Sequence, residues 1–585
     1  MKLVIVESPS KCKKIESLLG KKEFRCVASV GHICEIANGL KGIDKDTFLP
    51  AYAIAKGKGG VVKKLVKECK EADTVFLATD PDREGEAIAY HLCLFLKLSL
   101  VNTPRVRFHE LTGDAVRKAF AEPSFVDMNL VRAQQARQVL DLYVGYKLSP
   151  FLWKAVGPRL SAGRCQTPAL RMLFDREQRV KDPQYLPSTL VMTADFHPGL
   201  QKSVLLHAPK EWERFEEIIE SMKTHPLFVI ADIKSTNRLQ NPPPPFITSS
   251  VQQDCHSTFH YSPQHTMSIL QSLYEKGKIT YMRTDSPALS ENCIEECQVQ
   301  IHKKYGPDYF EKRVYVSTVA NSQEAHEAIR PTHMALEMFG QSFSEHEQKV
   351  YRRVWQRTIA SQMVAYRFTE TVIKIQCENT FVAFQHTRHV PRHQGWKSVY
   401  FITTTSQEVE EVPTSPPPLQ SRVEWQQGEV VQEFQKGKGR HSEATLIKEL
   451  EKHGIGRPST FASLCSKIVE RRYASISNVK GITVPVFRAF IDRDFRVDII
   501  KDKATIGSDH GKFVVTPTGQ QVLLCLSQKF PWVLDYSFTQ KMESDLETIV
   551  VDKKKYNTVL GAYVSKIEDS LQSSQSLQSS PNKKS

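Results

Sequence analysis

Three acidic residues lie within five positions in the segment DPDREGE, directly after the apolar stretch TVFLA. Asp80, Asp82 and Glu84 offer hard oxygen ligands at a spacing that suits a magnesium ion. A fourth acid, Glu7, follows the apolar stretch LVIV and precedes Lys11. If both stretches are parallel strands, their carboxyl ends meet at one sheet edge and the four acids can share an ion. For DPDREGE alone, the alternative is a solvated loop that caps the next helix.

A tyrosine with charged neighbours lies in the segment KITYMRTDSP. Tyr281 is followed by Arg283 and Asp285. A phenol with a pKa of about 10 is a poor nucleophile at neutral pH, so it needs a nearby cation such as Arg283 to lower the cost of phenolate character. Without further context, the same residues are equally compatible with a packed tyrosine and an ordinary ion pair.

The elements that must position these residues follow from the periodicity. The first hundred residues alternate short apolar runs with amphipathic segments, which is typical of an α/β unit. Helical spacing dominates from about 124 to 185, from 246 to 360 and after 440, whereas 186–235 and 365–432 are rich in β-branched and aromatic residues. Proline runs at 242–245 and 416–418 indicate chain crossings between domains.

Composition excludes several classes of protein. The chain has 585 residues, of which 40% are hydrophobic and 25% charged, and it contains no apolar run long enough to span a bilayer. Its N-terminus lacks the order of a signal peptide, so we expect an intracellular protein. Twelve scattered cysteines without a CxxC pair predict neither a disulfide framework nor a zinc ribbon. The net charge of +14 favours a polyanionic partner, although solvated lysine faces give the same balance.

Several segments carry a resemblance to a known family. VIVESPSK followed by ATDPDREGEAIA resembles the Toprim domain of type IA DNA topoisomerases, a domain that primases and some nucleases share. KGKITYMRTDSPALS resembles the active-site segment of the same family. SQEAHEAIRPT, GIGRPSTFAS, LSAGRCQTPALR and RAQQARQVLDLYVGYKLSPFLWK resemble further family segments in the family order. The resemblance covers residues 1 to about 565.

The resemblance implies a catalytic set. Tyr281 matches the tyrosine that attacks a DNA phosphodiester, and Arg283 and Lys11 would neutralise charge on that phosphate. Glu7, kept protonated by neighbouring acids, is the candidate general acid for the leaving 3′ oxygen. His326 matches a histidine beside the scissile phosphate, against the alternative of a hydrogen-bonded helix histidine.

The resemblance also implies a DNA-binding set on the helical segments. Arginines, hydroxyl groups and a helix start suit phosphate contacts, and aromatic rings suit base stacking, although Trp153 could equally be a packing residue and GIGRPST an ordinary helix cap. Gln138 stands where an arginine is common in the family. The expected DNA-binding residues, besides Arg283, are His32, Arg137, Gln138, Asp141, Tyr146, Trp153, Ser161, Ala162, Gly163, Arg164, Cys165, Gln166, Arg457, Thr460 and Arg471.

The predicted fold is a multidomain α/β plus α protein that forms a toroidal clamp. Its predicted parts are a Toprim α/β domain (1–123), a helical DNA gate in two segments (124–185 and 433–565), a β-rich arch in two segments (186–240 and 363–432), a helical domain carrying Tyr281 (241–362) and a disordered polar tail (566–585).

The expected activity is ATP-independent cleavage of one DNA strand through a 5′-phosphotyrosine, strand passage and religation, which relaxes negatively supercoiled DNA. We expect Mg²⁺ as cofactor, DNA with a single-stranded segment as partner, a monomer without nucleotide cofactor or membrane association, and a cytoplasmic, nucleoid-associated location. No GxxxxGK[ST] loop occurs in the sequence, which agrees with independence from ATP. The rival hypothesis is a Toprim DNA-binding or primase-like protein in which Tyr281 is merely structural.

Overall fold

The computed structural model describes residues 1–180, 186–316, 327–338, 340, 343–401, 416–435, 439–551 and 554–579. Among these residues, no helix combines the length and the apolar character needed to cross a lipid bilayer. All twelve cysteines are free thiols.

The N-terminal part is a small parallel sheet covered by helices. Its three main strands have the order β2-β1-β5, and both pairings are parallel, as predicted for the stretches LVIV and TVFLA. Val4 and Ile5 are fully buried because the sheet is covered on both faces. The elements are β1 (Lys2–Val6), α1 (Pro9–Leu19), β2 (Phe24–Ala28), β3 (Cys34–Ile36), β4 (Tyr52–Ile54), α2 (Gly59–Glu71), β5 (Thr74–Leu77), α3 (Arg83–Leu96) and α4 (Gly113–Ala121).

Two long helices follow. They are α5 (Met128–Ala155) and α6 (Gln166–Arg179), and α5 continues through Pro150. Asp127 caps α5 by accepting hydrogen bonds from the amides of Asn129 and Leu130. These helices pack against helices from the far end of the chain, which brings the two predicted gate segments together.

The largest sheet has eight strands in the order β14-β13-β11-β6-β7-β10-β9-β8. Because β11 pairs with both β6 and β8, six of these strands close into a ring around Phe196, Phe228, Phe384 and Trp425. The first elements of this part are β6 (Ser188–His197), β7 (Leu200–Leu205), α7 (Trp212–Thr224) and β8 (Phe228–Gln240). After a helical excursion the chain returns as β9 (Tyr366–Cys377), β10 (Ala383–His393), α12 (Ser398–Phe401) and β11 (Arg422–Phe434), with α12 lying between β10 and β11.

The excursion between β8 and β9 is helical and carries Tyr281 in a loop. Its helices are α8 (Thr248–Phe259), α9 (Pro263–Glu275), α10 (Glu291–Tyr305) and α11 (Glu345–Ser361). Buried side chains of these helices share one core with residues of the N-terminal sheet, such as Val6, Ala78 and Val106. The tyrosine-bearing part is therefore packed directly on the N-terminal part.

The C-terminal part departs from the predicted helical segment 433–565. It contains four strands, and β13 and β14 extend the large sheet. The alternation in ITVPVFRAFI explains this, because Ala489 and Ile491 bury one face while β-branched residues favour the pleat. The elements are α13 (Glu443–Lys452), α14 (Phe461–Glu470), β12 (Ala474–Val479), β13 (Ile482–Ile491), β14 (Val497–Ile506), β15 (Asp509–Val515), α15 (Pro517–Lys529), α16 (Tyr536–Val550) and α17 (Tyr556–Ser579).

Helix α17 also corrects the prediction of a disordered tail from residue 566. The helix runs to Ser579 because Ile567 is fully buried and Leu571 packs against the same helical core. Polar composition concealed this apolar spacing. The remaining domain boundaries of the sequence analysis stay predictions.

Candidate active site

The acids that follow β1 and β5 lie at one sheet edge. The two strands pair in parallel with Lys2 opposite Thr74 and Ile5 opposite Leu77, so Glu7 and Asp80 leave the sheet side by side. Asp80 is only 3% exposed. Asp82 caps α3 by accepting a 2.8 Å hydrogen bond from the Gly85 amide. The helix cap of the alternative interpretation is therefore present, and the residue that forms it lies at the acidic edge of the sheet.

Lys11 reaches the same edge from the first turn of α1. Pro9 starts this helix, where its missing N–H costs nothing. The Lys11 ammonium is fully buried, forms an ion pair with Asp80, and lies 5.0 Å from the centre of the Tyr274 ring. An amine and a carboxylate buried together stay charged only because each compensates the other.

Tyr281 enters the site from the helical part. Its amide donates a 2.7 Å hydrogen bond to the carbonyl of His109, which fixes the loop on the N-terminal part. Its hydroxyl donates a 2.6 Å hydrogen bond to Oδ2 of Asp82, and the Arg283 guanidinium lies 3.4 Å from the same oxygen. The phenol is only 2% exposed and meets the ring of Tyr274 edge-on at 5.2 Å.

The electrostatics differ sharply among these groups. Burial, reinforced by the charge of Asp80, raises the pKa of Glu7 from 4.5 to about 7. Burial and the charge of Asp82 raise the pKa of the Tyr281 phenol well above 10. The pKa of Asp82 is lowered: burial opposes this shift, but the charge of Arg283 and the hydrogen bond from Tyr281 outweigh it. Glu7 is therefore the acid of this site that can carry a proton near neutral pH.

The predicted set of four metal-binding acids is not assembled. Glu84 is held by other side chains, with Oε2 at 3.4 Å from Nε2 of His32 and 3.1 Å from Nε2 of Gln134. Asp80 is already engaged in its ion pair with Lys11. Asp82 already binds the Tyr281 hydroxyl and the Arg283 guanidinium. Accordingly, within the described part of the chain no three His, Cys, Asp or Glu side chains converge as a metal site. The physical reason is that α3 begins at Arg83, which turns Glu84 onto the helix face toward α5.

Several predicted DNA-binding arginines are paired with acids of α16. Arg137 and Arg164 are buried and both bind Glu543, and Arg457 lies 3.4 Å from Glu543 and 2.9 Å from Glu547. Arg164 also bonds Asp141 at 2.6 Å. Burial opposes the low pKa of Glu543, but the three arginines hold it far below its usual range.

Arg137 and Arg457 border a small cleft beside the loop that carries Tyr281. Asp82, Glu84, Arg283 and Arg457 line the cleft together with Asp285. The structure thus places the predicted gate arginines next to the loop that carries Tyr281. In this state the arginines are paired with protein carboxylates.

The other predicted DNA-binding residues lie around the same helices. Tyr146 and Trp153 are 56% and 52% exposed, respectively, and the Trp153 indole donates to the carbonyl of Leu160. Gln138 accepts from the Tyr52 hydroxyl at 3.2 Å, and Arg471 donates to the carbonyl of Arg159.

The segment before α6 is largely held by hydrogen bonds. The Ser161 amide donates to the Tyr473 hydroxyl, the Gly163 amide donates to Thr167, and Ala162 is buried. Burial raises the pKa of the Cys165 thiol to about 11, so it is a thiol at neutral pH. Gln166 is the first residue of α6.

Two predicted positions need separate mention. Thr460 does not start a helix immediately after Pro458, because α14 begins at Phe461, and its hydroxyl instead accepts from the Arg457 amide at 2.9 Å. His326 lies outside the described residues.

Sequence reasoning missed four contributors to the site. Arg83 pairs with Glu547, Glu543 gathers the arginines, and Tyr274 contacts both Lys11 and Tyr281. The spacing of Glu543 and Glu547, four residues apart on α16, was a visible signal of one acidic helix face. Nothing in the sequence indicated that this acidic face pairs with Arg137 and Arg164, which lie more than 370 residues away in the chain.

The chain was compared with known proteins. Residues 126–487 match the sequence model of a family described as DNA topoisomerase, and residues 2–111 match the Toprim domain. The chain is 34% identical to the DNA topoisomerase 1 type prokaryotic of Acanthamoeba polyphaga mimivirus, an alignment that covers 97% of this chain and 71% of that protein.

A solved structure agrees with this match over nearly the same length. Full-length topoisomerase I from Thermotoga maritima superposes with a TM-score of 0.80 at 31% identity, over 98% of this chain and 90% of that one. The ring-shaped sheet, the parallel N-terminal sheet and the tyrosine at its acidic edge thus lie in a chain that belongs to the type IA DNA topoisomerases.

Proposed function

We propose that Tyr281 is the nucleophile through which this type IA topoisomerase breaks one DNA strand. The observation that carries the proposal is the contact between the Tyr281 hydroxyl and Asp82, which joins the tyrosine loop to the acidic edge of the N-terminal sheet. The Arg283 guanidinium lies 3.4 Å from the same Asp82 oxygen, an arrangement that supplies a cation beside a candidate nucleophile. Attack on a phosphodiester, with the phenol proton released to water, would give a 5′-phosphotyrosine and a free 3′ hydroxyl whose proton comes from a general acid.

Three neighbours have roles in this proposal. Arg283 lies on the same Asp82 oxygen as the phenol, so it can stabilise phenolate character and then the charge on the phosphate. Lys11 supplies a second buried cation through its pair with Asp80. Glu7 is protonated below a pKa of about 7 and donates that proton to the leaving 3′ oxygen. In religation the same carboxylate takes the proton back, because the reaction is reversed.

Tyr281 must leave Asp82 before it attacks. In the closed state burial and the charge of Asp82 raise the pKa of the phenol, which keeps it protonated. A phosphate entering beside Arg283 would compete for that guanidinium and weaken its hold on Asp82. The hydrogen bond is therefore a resting contact, consistent with a buried tyrosine that awaits its substrate.

Mg²⁺ is the cofactor that we propose for this edge. Glu7, Asp80 and Asp82 are hard oxygen donors, and burial together with the charge of Asp80 raises the pKa of Glu7. They fit a divalent cation once Lys11 and Tyr281 release Asp80 and Asp82, whereas Glu84 fits as a hydrogen-bond partner of His32. A bound ion would supply positive charge that holds the scissile phosphate and the 3′ end in place.

We further propose that the enzyme relaxes negatively supercoiled DNA as a monomer without a nucleotide cofactor, in the cytoplasm with the nucleoid. A phosphotyrosine conserves the energy of the broken bond, so religation needs no ATP. The helices α5 and α6 and the arginines around Glu543 would receive the single-stranded segment, and their release from Glu543 would accompany DNA entry.

Negatively supercoiled plasmid with Mg²⁺ and without ATP tests the proposal. We expect relaxation, and a 5′-linked protein adduct after denaturation, both of which Tyr281→Phe abolishes. Tyr305→Phe is the matched control, because it removes a hydroxyl from α10 that has no hydrogen-bond partner among the described residues. An adduct that survives Tyr281→Phe would refute the assignment, and nucleotide incorporation instead of relaxation would favour a primase-like activity.

A further inference from the structure

The first residue of helix α8 is bonded to the loop that carries Tyr281. The Thr248 hydroxyl donates to carbonyl oxygens on two residues of that loop, at 2.7 Å to Met282 and 3.0 Å to Thr284. The same hydroxyl oxygen accepts a 2.9 Å hydrogen bond from the Thr284 amide, and the Thr248 amide donates to the Thr284 carbonyl at 3.0 Å. One residue thus binds the backbone on both sides of Arg283. We call these contacts the Thr248 clamp.

The hydroxyl of Thr248 is directed to the loop and not to its own helix. The start of α8 is capped by another group, because the Ser250 hydroxyl accepts from the Ile247 amide at 2.9 Å and donates to the Ile247 carbonyl. In the described part of the chain, every hydrogen bond of the Thr248 hydroxyl goes to Met282 or Thr284. The clamp is therefore separate from the helix cap.

Arg283 depends on its neighbours for the position of its backbone. Among the described residues, no hydrogen bond reaches the amide or the carbonyl of Arg283 itself. Its side chain has many rotamers, so the place where the backbone starts it decides which oxygen the guanidinium can reach. The guanidinium lies 3.4 Å from Oδ2 of Asp82, the oxygen that also accepts from the Tyr281 hydroxyl. A shift of the loop backbone would move the guanidinium away from this point.

Thr248 can act only through the protein. It is 0% exposed, whereas the side chain of Arg283 is 31% exposed and lines the cleft beside Asp82. DNA that enters this cleft would contact Arg283 and could not reach Thr248. A change at Thr248 should therefore alter the reaction without removing a contact to DNA.

We propose that Thr248 is a positioning residue for Arg283 in DNA cleavage; the proposal rests on the function proposed above. In that function Arg283 stabilises phenolate character and then the charge on the phosphate. Groups that are already in place when charge develops need no reorganisation during the reaction. By bonding the residues before and after Arg283, Thr248 fixes the place from which the guanidinium acts.

The clamp lies wholly within the tyrosine-bearing part. The loop has a different link to the N-terminal part, where the Tyr281 amide donates to the His109 carbonyl at 2.7 Å. If the two parts separate, that link breaks, whereas Thr248 moves with the loop. Arg283 would then keep its place relative to Tyr281 while the DNA break is open, and it would be in position again for religation.

Single-turnover cleavage of a single-stranded oligonucleotide by the full-length protein tests the proposal. Thr248→Val keeps nearly the same side-chain shape and removes the hydroxyl. We expect adduct formation to be about tenfold slower, since a misplacement of about 1 Å can cost about 100-fold. The affinity for the oligonucleotide, measured by fluorescence anisotropy, should be unchanged. Thr248→Ser retains the hydroxyl and should restore the rate of the wild type.

The dependence on Arg283 is tested by the same substitution in the Arg283→Ala background. There Thr248→Val should slow adduct formation by less than about twofold, because the group that Thr248 positions is already absent. The matched control is Thr358→Val, since Thr358 is equally buried and its hydroxyl donates to the Val354 carbonyl within α11. The control should leave the rate unchanged in both backgrounds, and thermal unfolding verifies that every variant is folded.

An equal slowing by Thr248→Val in both backgrounds would overturn the proposal, because the hydroxyl would then act on Tyr281 or on the whole fold. A loss that Thr248→Ser does not recover, or a loss of the same size in Thr358→Val, would overturn it too. These results leave the nucleophile assignment intact. A wild type that forms no adduct, or an adduct that survives Tyr281→Phe, would instead refute the proposed function and with it the role of Thr248.

Discussion

The Tyr281 hydroxyl and Oδ2 of Asp82 lie 2.6 Å apart, although 199 residues separate them in the chain. One belongs to the helical part and the other to the N-terminal sheet. The contact means that the resting enzyme keeps the proposed nucleophile hydrogen-bonded to an acid of the other half of the site. Opening the two parts would break this hydrogen bond and expose both groups at once.

Asp82→Asn should lower the pKa of the Tyr281 phenol. The charge of Asp82 is the largest contribution after burial that raises this pKa, and the amide removes it. NMR of protein labelled at tyrosine Cζ, with Tyr281→Phe for assignment, measures the titration. Asp502→Asn, on the large sheet, is the control for a lost carboxylate. An unchanged phenol titration would show that Asp82 does not act on Tyr281 in solution.

Glu7→Gln should change the stability of the fold above about pH 5. The folded pKa of about 7 exceeds the ordinary 4.5, so the protonated carboxyl stabilises the fold below pH 4.5 and this contribution is lost as the pH rises to 7. Glutamine does not titrate, so at pH 8 the variant should be more stable than the wild type by on the order of 2 kcal/mol. Urea unfolding in EDTA at pH 5 and pH 8 measures this difference in stability between the variant and the wild type. A difference independent of pH would contradict the raised pKa.

The same variant tests the proposed general acid. If Glu7 protonates the leaving 3′ oxygen, wild-type cleavage should fall as the pH rises above about 7, because the carboxyl is then ionised. Glu7→Gln should cleave slowly and without that decline. Single-turnover cleavage of an oligonucleotide between pH 6 and pH 9 measures both profiles. Parallel pH profiles would assign the proton to another group.

Lys11→Met should destabilise the protein strongly. Lys11 and Asp80 are both buried, and removing the amine leaves a carboxylate without its counter-charge, a loss of about 3 to 5 kcal/mol. Lys11→Met/Asp80→Asn should recover much of that loss because no charge remains. Urea unfolding of the two single variants and the double variant gives the coupling energy. Additive losses would mean that the pair does not act as a unit.

Glu543→Gln should release the arginines beside the catalytic loop. Three of them converge on this carboxylate, so we expect a loss of stability of about 3 kcal/mol together with tighter binding of single-stranded DNA. Thermal unfolding measures the loss of stability. Fluorescence anisotropy with a labelled oligothymidylate of about 8 nucleotides measures the binding of single-stranded DNA. Glu568→Gln, whose carboxylate is an exposed partner of Lys147, is the control. Weaker DNA binding would indicate that Glu543 orients the arginines for DNA.

The sequence could predict those parts of the site that depend on local order. Glu7 and Asp80 follow strands, and parallel strands place them at one edge whatever the rest of the chain does. The pairing of Glu84 with His32 could not be predicted, because it depends on the helix rotation after Asp82. The arginines gathered by Glu543 likewise depend on how the last helices dock. In each missed case the partner comes from a distant part of the chain.

The same distinction between local order and distant partners applies to the prediction of the fold. The alternation of strands and helices near the N-terminus predicted a parallel sheet, which the pairing of β1 with β5 confirms. Strands β13 and β14 were missed because a segment with helices on both sides was read as helical throughout. Their alternation was visible, but only the edge offered by β11 gives them a sheet to join.

The chain leaves the large sheet at Gln240 and returns at Tyr366, and these two residues are partners across adjacent strands. The whole tyrosine-bearing part is therefore suspended from two neighbouring points, with prolines just beyond one of them. Two adjacent attachment points hinder translation of this part but permit its rotation about a single axis. Each swing would then carry the phenol along a fixed arc, so that a severed end of DNA returns to the position from which it departed.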